Sequence, residues 1–142
     1  MKVYLDTSAA VKLMIEEAES TALARYLDAD GVTVASSVLL ETELRRTAER
    51  LDVPQSRAVA VLDRVALAEA PRSLFAEAGL LPGVMLRSLD AIHLATALRL
   101  ESDVVVSYDI RQIAAAEGLG QRVESPGGWS ATALPPPYEK LS

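Results

Sequence analysis

The chain has 142 residues, half of them hydrophobic but only 4% aromatic, with 14 basic against 20 acidic side chains, a formal charge of -6, one histidine and no cysteine. That length suits one domain with an aliphatic core of Ala, Leu and Val, large enough to bury roughly 70% of the surface exposed by the unfolded chain. The missing cysteines exclude disulfides, thiolate zinc sites, iron-sulfur clusters and cysteine nucleophiles, and the acidic balance argues against gripping nucleic acid by overall charge, though not against a nuclease.

Along the chain, residues 2–5 read as a buried strand, and Thr7 or Ser8 is positioned to cap a helix through "AAVKLMI". A second helix follows in "AESTALARYLDA", ending near Gly31, and "VTVAS" is the next strand. Ser36 or Ser37 is expected to cap "VLLETELRRTAERL", and "VPQSRAVAVLDRV" forms a helix with its proline near the first turn. "ALAEA" is a marginal third strand, "SLFAEAGL" a short helix stopped at "LPG", and residues 86 to about 100 a long helix. "DVVVSYD" is a clear strand, "IRQIAAAEG" a helix and "QRVES" a last strand. Alternation of this kind implies α/β architecture, a three-layer α/β/α sandwich around a mostly parallel sheet. One α/β domain over 1–127 is expected, followed by an irregular, Pro-rich tail over 128–142 in which Trp129 and Tyr138 are candidate anchors. Neither a signal peptide nor a membrane span is apparent in the sequence, so a cytoplasmic protein is expected.

Sites in open α/β sheets lie beyond the carboxyl ends of the strands, where neighbouring connections diverge. Asp6 directly follows the first strand, and Asp109 lies just beyond "VVV"; parallel strands would bring both to one sheet edge, although a helix cap explains each taken alone. Two helical acids join them. In "SSVLLETELRRTAE", Glu43 falls on the stripe of Leu40, Leu44 and Thr47, with Glu41, Arg45 and Ala48 on the other side. Asp90 shares a row with Leu86, Leu94 and Ala97. An ionised carboxylate on a core-facing stripe needs a partner, a proton or a metal ion, arginine pairing being the structural alternative.

Four acids converging on one edge would raise one another's pKa until a divalent cation supplied the missing charge. Oxygen donors select a hard ion, favouring Mg²⁺ or Mn²⁺ over Zn²⁺, and carboxylate-held Mg²⁺ typically serves phosphate chemistry. The only histidine, His93, sits about 60° around the helix from Asp90. With no second histidine to complete a ligand pair, it is read as a packed or supporting residue rather than a ligand. Other phosphate chemistries fit less well. A phosphoacceptor module would want a lysine after a late strand, and a dehalogenase-like phosphatase an aspartate where this chain has Ser8.

The blocks "VYLDTSAAVKL", "SSVLLETELRR", "LRSLDAIHLATAL" and "VVVSYDIRQIAAAEGL" occur in the order and spacing of PIN-domain proteins, and the chain resembles a VapC-type toxin of a toxin-antitoxin pair over about residues 2 to 127. The resemblance implies a Mg²⁺- or Mn²⁺-dependent endoribonuclease, a homodimer, inhibited by a small VapB-like antitoxin. It carries the metal-binding acids onto Asp6, Glu43, Asp90 and Asp109, the same four that the residues themselves isolate. Ser8 matches a family position that supplies a hydroxyl near the metal or phosphate, and Arg45, Arg46, Arg87 and Arg111 lie near the motifs where RNA would pass. The alternatives are a PIN-like module that binds RNA or serves as a scaffold without cleaving, and a processing nuclease with no antitoxin.

Overall fold

A computed structural model describes residues 1–128; Trp129 and Tyr138 lie outside the described residues, as does nearly all of the tail. The order is β1 (Lys2–Leu5), α1 (Thr7–Met14), α2 (Ser20–Leu27), β2 (Thr33–Ser37), α3 (Leu39–Arg50), α4 (Gln55–Leu62), β3 (Ala66–Ala68), α5 (Arg72–Gly79), α6 (Ser88–Arg99), β4 (Val104–Val106), α7 (Ile110–Gly118) and β5 (Val123–Glu124). All four strand pairings are parallel, and the sheet runs β3-β2-β1-β4-β5. The chain therefore leaves β1 toward one edge and later returns to its other side. That makes the β1/β4 boundary the topological switch point, where ligands of open parallel sheets bind.

Period-two alternation divides the sheet faces. Val3, Leu5, Val104 and Val106 join the core cluster beneath α1, α2, α3 and α4, while Tyr4 and Val105 pack on the other face with Ala97 of α6. α6 is enclosed from 91 to 97, with Ala91, Ile92 and Ala95 turned to α5 and Ala97 to the sheet. A helix buried all round needs no strong amphipathic stripe, which is why its sequence reads as nearly continuous apolar residues. Leu94 is fully buried at the centre of α6. Leu94→Ala is expected to cost about 2–5 kcal/mol, measured as a lower denaturant midpoint at unchanged slope. A loss below about 1 kcal/mol would contradict this packing.

Several local expectations are corrected. The first helix is capped not by Thr7 or Ser8 but by Asp6, whose extended backbone (φ -85°, ψ 175°) lets its carboxylate accept the Ala9 N–H. α3 begins at Leu39 with Val38 in the cap position; Ser37 Oγ accepts the Leu39 N–H, whereas Ser36 Oγ donates to the Leu5 carbonyl. Ala48 is buried rather than sharing the outer face of Glu41 and Arg45, which do form an ion pair on the surface of α3. The long helix starts at Ser88 rather than Leu86. At the other end of the described chain, Ser125 Oγ donates to the Ser107 carbonyl and Tyr108 Oη to the Pro126 carbonyl, so residues 125–128 are strapped to the loop after β4.

Candidate metal-dependent nuclease site

Glu43, Asp90 and Asp109 line one cavity of about 340 Å³ together with Arg87, Ser88, Leu89 and Arg111. The three acids come from α3, the first turn of α6 and the cap of α7, elements that meet beyond the carboxyl ends of the strands. Asp109 sits where β4 gives way to α7, and its Oδ1 accepts the backbone N–H groups of Arg111 and Gln112, which fixes its position at the rim. Gln112 is buried and its amide donates to the Asp90 carbonyl at 3.3 Å, tying α7 to the start of α6. Nothing in the sequence marks Gln112 for this role, because the contact exists only once two helices separated by a strand are brought together.

Asp6 occupies a deeper position and is not among the residues lining the cavity. Its Oδ1 accepts from Ser8 Oγ at 2.7 Å and Ala9 N at 3.0 Å. Ser8 Oγ in turn accepts the Tyr108 N–H at 2.9 Å. Ser8 therefore braces Asp6 against the loop after β4. Burial pushes the Asp6 carboxyl above its ordinary value, although the hydroxyls of Ser107 and Ser8 and the Ala9 N–H favour the charged form.

Two other acids are perturbed in opposite directions. Asp90 is raised, by burial first and by the charge of Asp109 second. For Glu43 burial works upward as well, but the contact with His93, its hydrogen bond first, and the Thr7 hydroxyl outweigh it, and the net shift is downward. Glu43 Oε1 lies 2.7 Å from His93 Nε2 and accepts from Thr7 Oγ1 at 2.8 Å. The partners of the half-buried glutamate are an imidazole and a hydroxyl rather than the arginine that a purely structural role would call for. His93 itself is buried and supported from behind by Tyr4, as a packed, supporting residue should be.

Among the described residues, no three carboxylate or imidazole side chains stand close enough to close a cage around an ion. The donor set nevertheless fits a hard cation. Its available donors are carboxylate oxygens, Asp6 and Asp90 are held above their ordinary values by burial, Asp90 also by the charge of Asp109, and Mg²⁺ is commonly bound through one or two carboxylates, with water and substrate phosphate completing its shell.

A family model for the PIN domain matches residues 3–118, which include all four acids. The chain belongs to the PIN domain family. Within that family it is 41% identical over 129 residues to ribonuclease VapC46 of Mycobacterium tuberculosis, covering 87% of this chain and 97% of that protein. It is also 41% identical over 131 residues to ribonuclease VapC35 of the same species, covering 88% and 97%. Among solved structures, this PIN fold resembles VapBC2 from Rickettsia felis bound to a DNA fragment from its promoter, with a TM-score of 0.70 and 17% identity over 87% of this chain and 98% of that one. It also resembles the sarcin-ricin loop cleaving toxin VapC20 of Mycobacterium tuberculosis, with a TM-score of 0.68 and 19% identity over 80% and 94%. The α/β sandwich expected from the alternating elements is thus the observed fold. Among the described residues no helix is long and apolar enough to cross a membrane.

Proposed function

We propose that this PIN-domain protein is the toxin of a VapBC-type pair, a divalent-metal-dependent endoribonuclease acting in the cytoplasm as a homodimer and silenced by a VapB-like antitoxin. The observation that carries the reading is the convergence of Glu43, Asp90 and Asp109 on one cavity at the sheet's switch point, in a chain 41% identical to VapC ribonucleases. Asp6, Asp90 and Asp109 are the principal ligands, and Glu43 acts directly or through water. When bound there, Mg²⁺ or Mn²⁺ supplies activation of water and offsets charge building on the phosphate and the departing oxygen.

The chain's own residues do the rest. Glu43, held low by its neighbours, is ionised and ready to orient water or accept its proton on the cavity side. Arg87 and Arg111, exposed at the mouth of the acidic cavity, are placed to meet the flanking phosphates of a single strand. Ser8 supports Asp6 rather than contacting substrate. In-line attack leaves a 5′-phosphate and a 3′-hydroxyl.

The test is to incubate the purified protein with total RNA in Mg²⁺ or Mn²⁺ and to map both ends of each cut. Cuts bearing 5′-phosphate and 3′-hydroxyl ends, lost with chelator and suppressed by the product of an adjacent small reading frame, are the expected result. Ends carrying 2′,3′-cyclic phosphate would exclude this mechanism, and RNA binding without cleavage would identify the non-catalytic module instead.

A further inference from the structure

A chain of hydrogen bonds ending on Glu43 links four elements, β2, β1, α6 and α3. The Ser37 N–H donates to Tyr4 Oη at 3.0 Å, Tyr4 Oη lies 2.7 Å from His93 Nδ1, and His93 Nε2 lies 2.7 Å from Glu43 Oε1. Thr7 Oγ1 donates to the same glutamate oxygen and sits 3.2 Å from Nε2. Tyr4 and His93 are both buried, and the imidazole meets the phenol ring edge-on, with centroids 5.8 Å apart at 71°.

The direction of each bond follows from what each group can do. A backbone N–H only donates, so Tyr4 Oη accepts from Ser37. A phenol keeps its own proton at neutral pH, and the acceptor that Tyr4 Oη meets at 2.7 Å is His93 Nδ1. With Nδ1 accepting, the ring proton resides on Nε2 and is donated to Glu43 Oε1. Both donors, Nε2–H and the Thr7 hydroxyl, converge on Oε1, which leaves Oε2 as the oxygen for the cavity that Glu43 lines.

We propose that Tyr4 and His93 form a positioning relay that fixes the tautomer of the chain's single imidazole and, through it, presents one oxygen of Glu43 to the metal and its water. This rests on the metal-dependent reading of the site. It differs from mere packing in requiring a hydrogen-bond donor at the Nε2 position, not simply a filler of the same volume. Partners that orient ligands in this way commonly govern metal affinity and rate by about 10- to 100-fold.

The single histidine makes the tautomer directly readable in an untagged, ¹⁵N-histidine-labelled protein. One imidazole signal with the proton on Nε2 is expected; a proton on Nδ1 overturns the relay. Mn²⁺ titration by calorimetry, with Mn²⁺ alone as the probe, is then compared across His93→Leu, His93→Gln and Tyr4→Phe. His93→Leu is expected to weaken Mn²⁺ binding about 10-fold and to lower kcat with little change in KM for RNA, while His93→Gln, which keeps a donor near Nε2, recovers binding to within about 3-fold. Equal losses in both His93 variants, or none in either, would show that the site senses only volume and overturn the proposal. If His93→Leu does not fold, the tautomer and the comparison of His93→Gln with Tyr4→Phe decide; Tyr4→Phe is expected to let the ring proton exchange between nitrogens, and an unchanged Nε2 tautomer counts against the relay. Wild-type protein that neither binds Mn²⁺ nor cuts RNA defeats the nuclease reading, whereas wild type that does both while carrying the proton on Nδ1 defeats the relay alone.

Discussion

Asp90→Asn is expected to lower RNA cleavage by about 10³-fold or more while leaving the protein folded, because the change removes a charged ligand and not a packing group. The native carboxylate is half-buried, and its pKa is raised first by that burial and then by the neighbouring charge of Asp109. Both effects make the metal-free protein unfavourable at neutral pH, and both are relieved when a cation binds or when the charge is deleted. Asparagine keeps the shape and deletes the charge, so Mn²⁺ affinity should fall together with kcat. The measurement is single-turnover cleavage of an RNA shown to be cut by the wild type, alongside Mn²⁺ titration. Activity within about 10-fold of wild type, at saturating metal, would remove Asp90 from the ligand set and leave Asp109 and Glu43 to be tested in its place.

The contrast between Asp90 and His93 shows what local sequence carries and what it does not. Asp90 is legible because a carboxylate in a row of Leu86, Leu94 and Ala97 conflicts with its surroundings, and a conflict of that kind marks a functional position. Asp6 and Asp109 are legible because each follows a β-rich run closely. In the structure both also cap the helices they precede, so the capping reading and the site reading describe the same residues rather than competing. His93 is different. Its partners are Tyr4, 89 residues away on the adjacent sheet face, and Glu43, 50 residues away on α3. Tyr4 looks like one more buried strand residue until the register of β1 against α6 is known. The cap of α1 falls on Asp6 rather than Thr7 or Ser8 for a related reason: residue type favours all three neighbours, and only the extended backbone of Asp6 selects among them. Ala48 is likewise ambiguous by periodicity alone, because α3 packs against α1 on one side and α4 on the other, which widens its buried arc.

Asp6→Asn is expected to separate stability from activity. The carboxylate is buried, and its folded pKa lies above the unfolded value of about 3.8. Between those two values the folded state binds more protons than the unfolded one, so the stability of the metal-free protein falls as pH rises toward the folded pKa, and the penalty is fully present only above it. The substituted amide would retain an oxygen to accept from Ser8 Oγ and the Ala9 N–H, so the cap and the brace to Tyr108 survive while the charge does not. At pH 7 without metal, the variant should be more stable than wild type by about 0.5–2 kcal/mol, the usual gain when a site strained for function is relaxed. The difference should disappear as the pH falls toward about 4, because the wild-type carboxyl is by then protonated too. Added Mn²⁺ should reverse the order: it binds the folded wild type and raises its melting temperature with concentration, and it should do so far less for the variant, whose cleavage should fall about 10³-fold. A variant less stable than wild type at neutral pH would mean that the Asp6 charge is compensated within the protein itself. In that case the demand for a cation would fall on Asp90 and Asp109 alone.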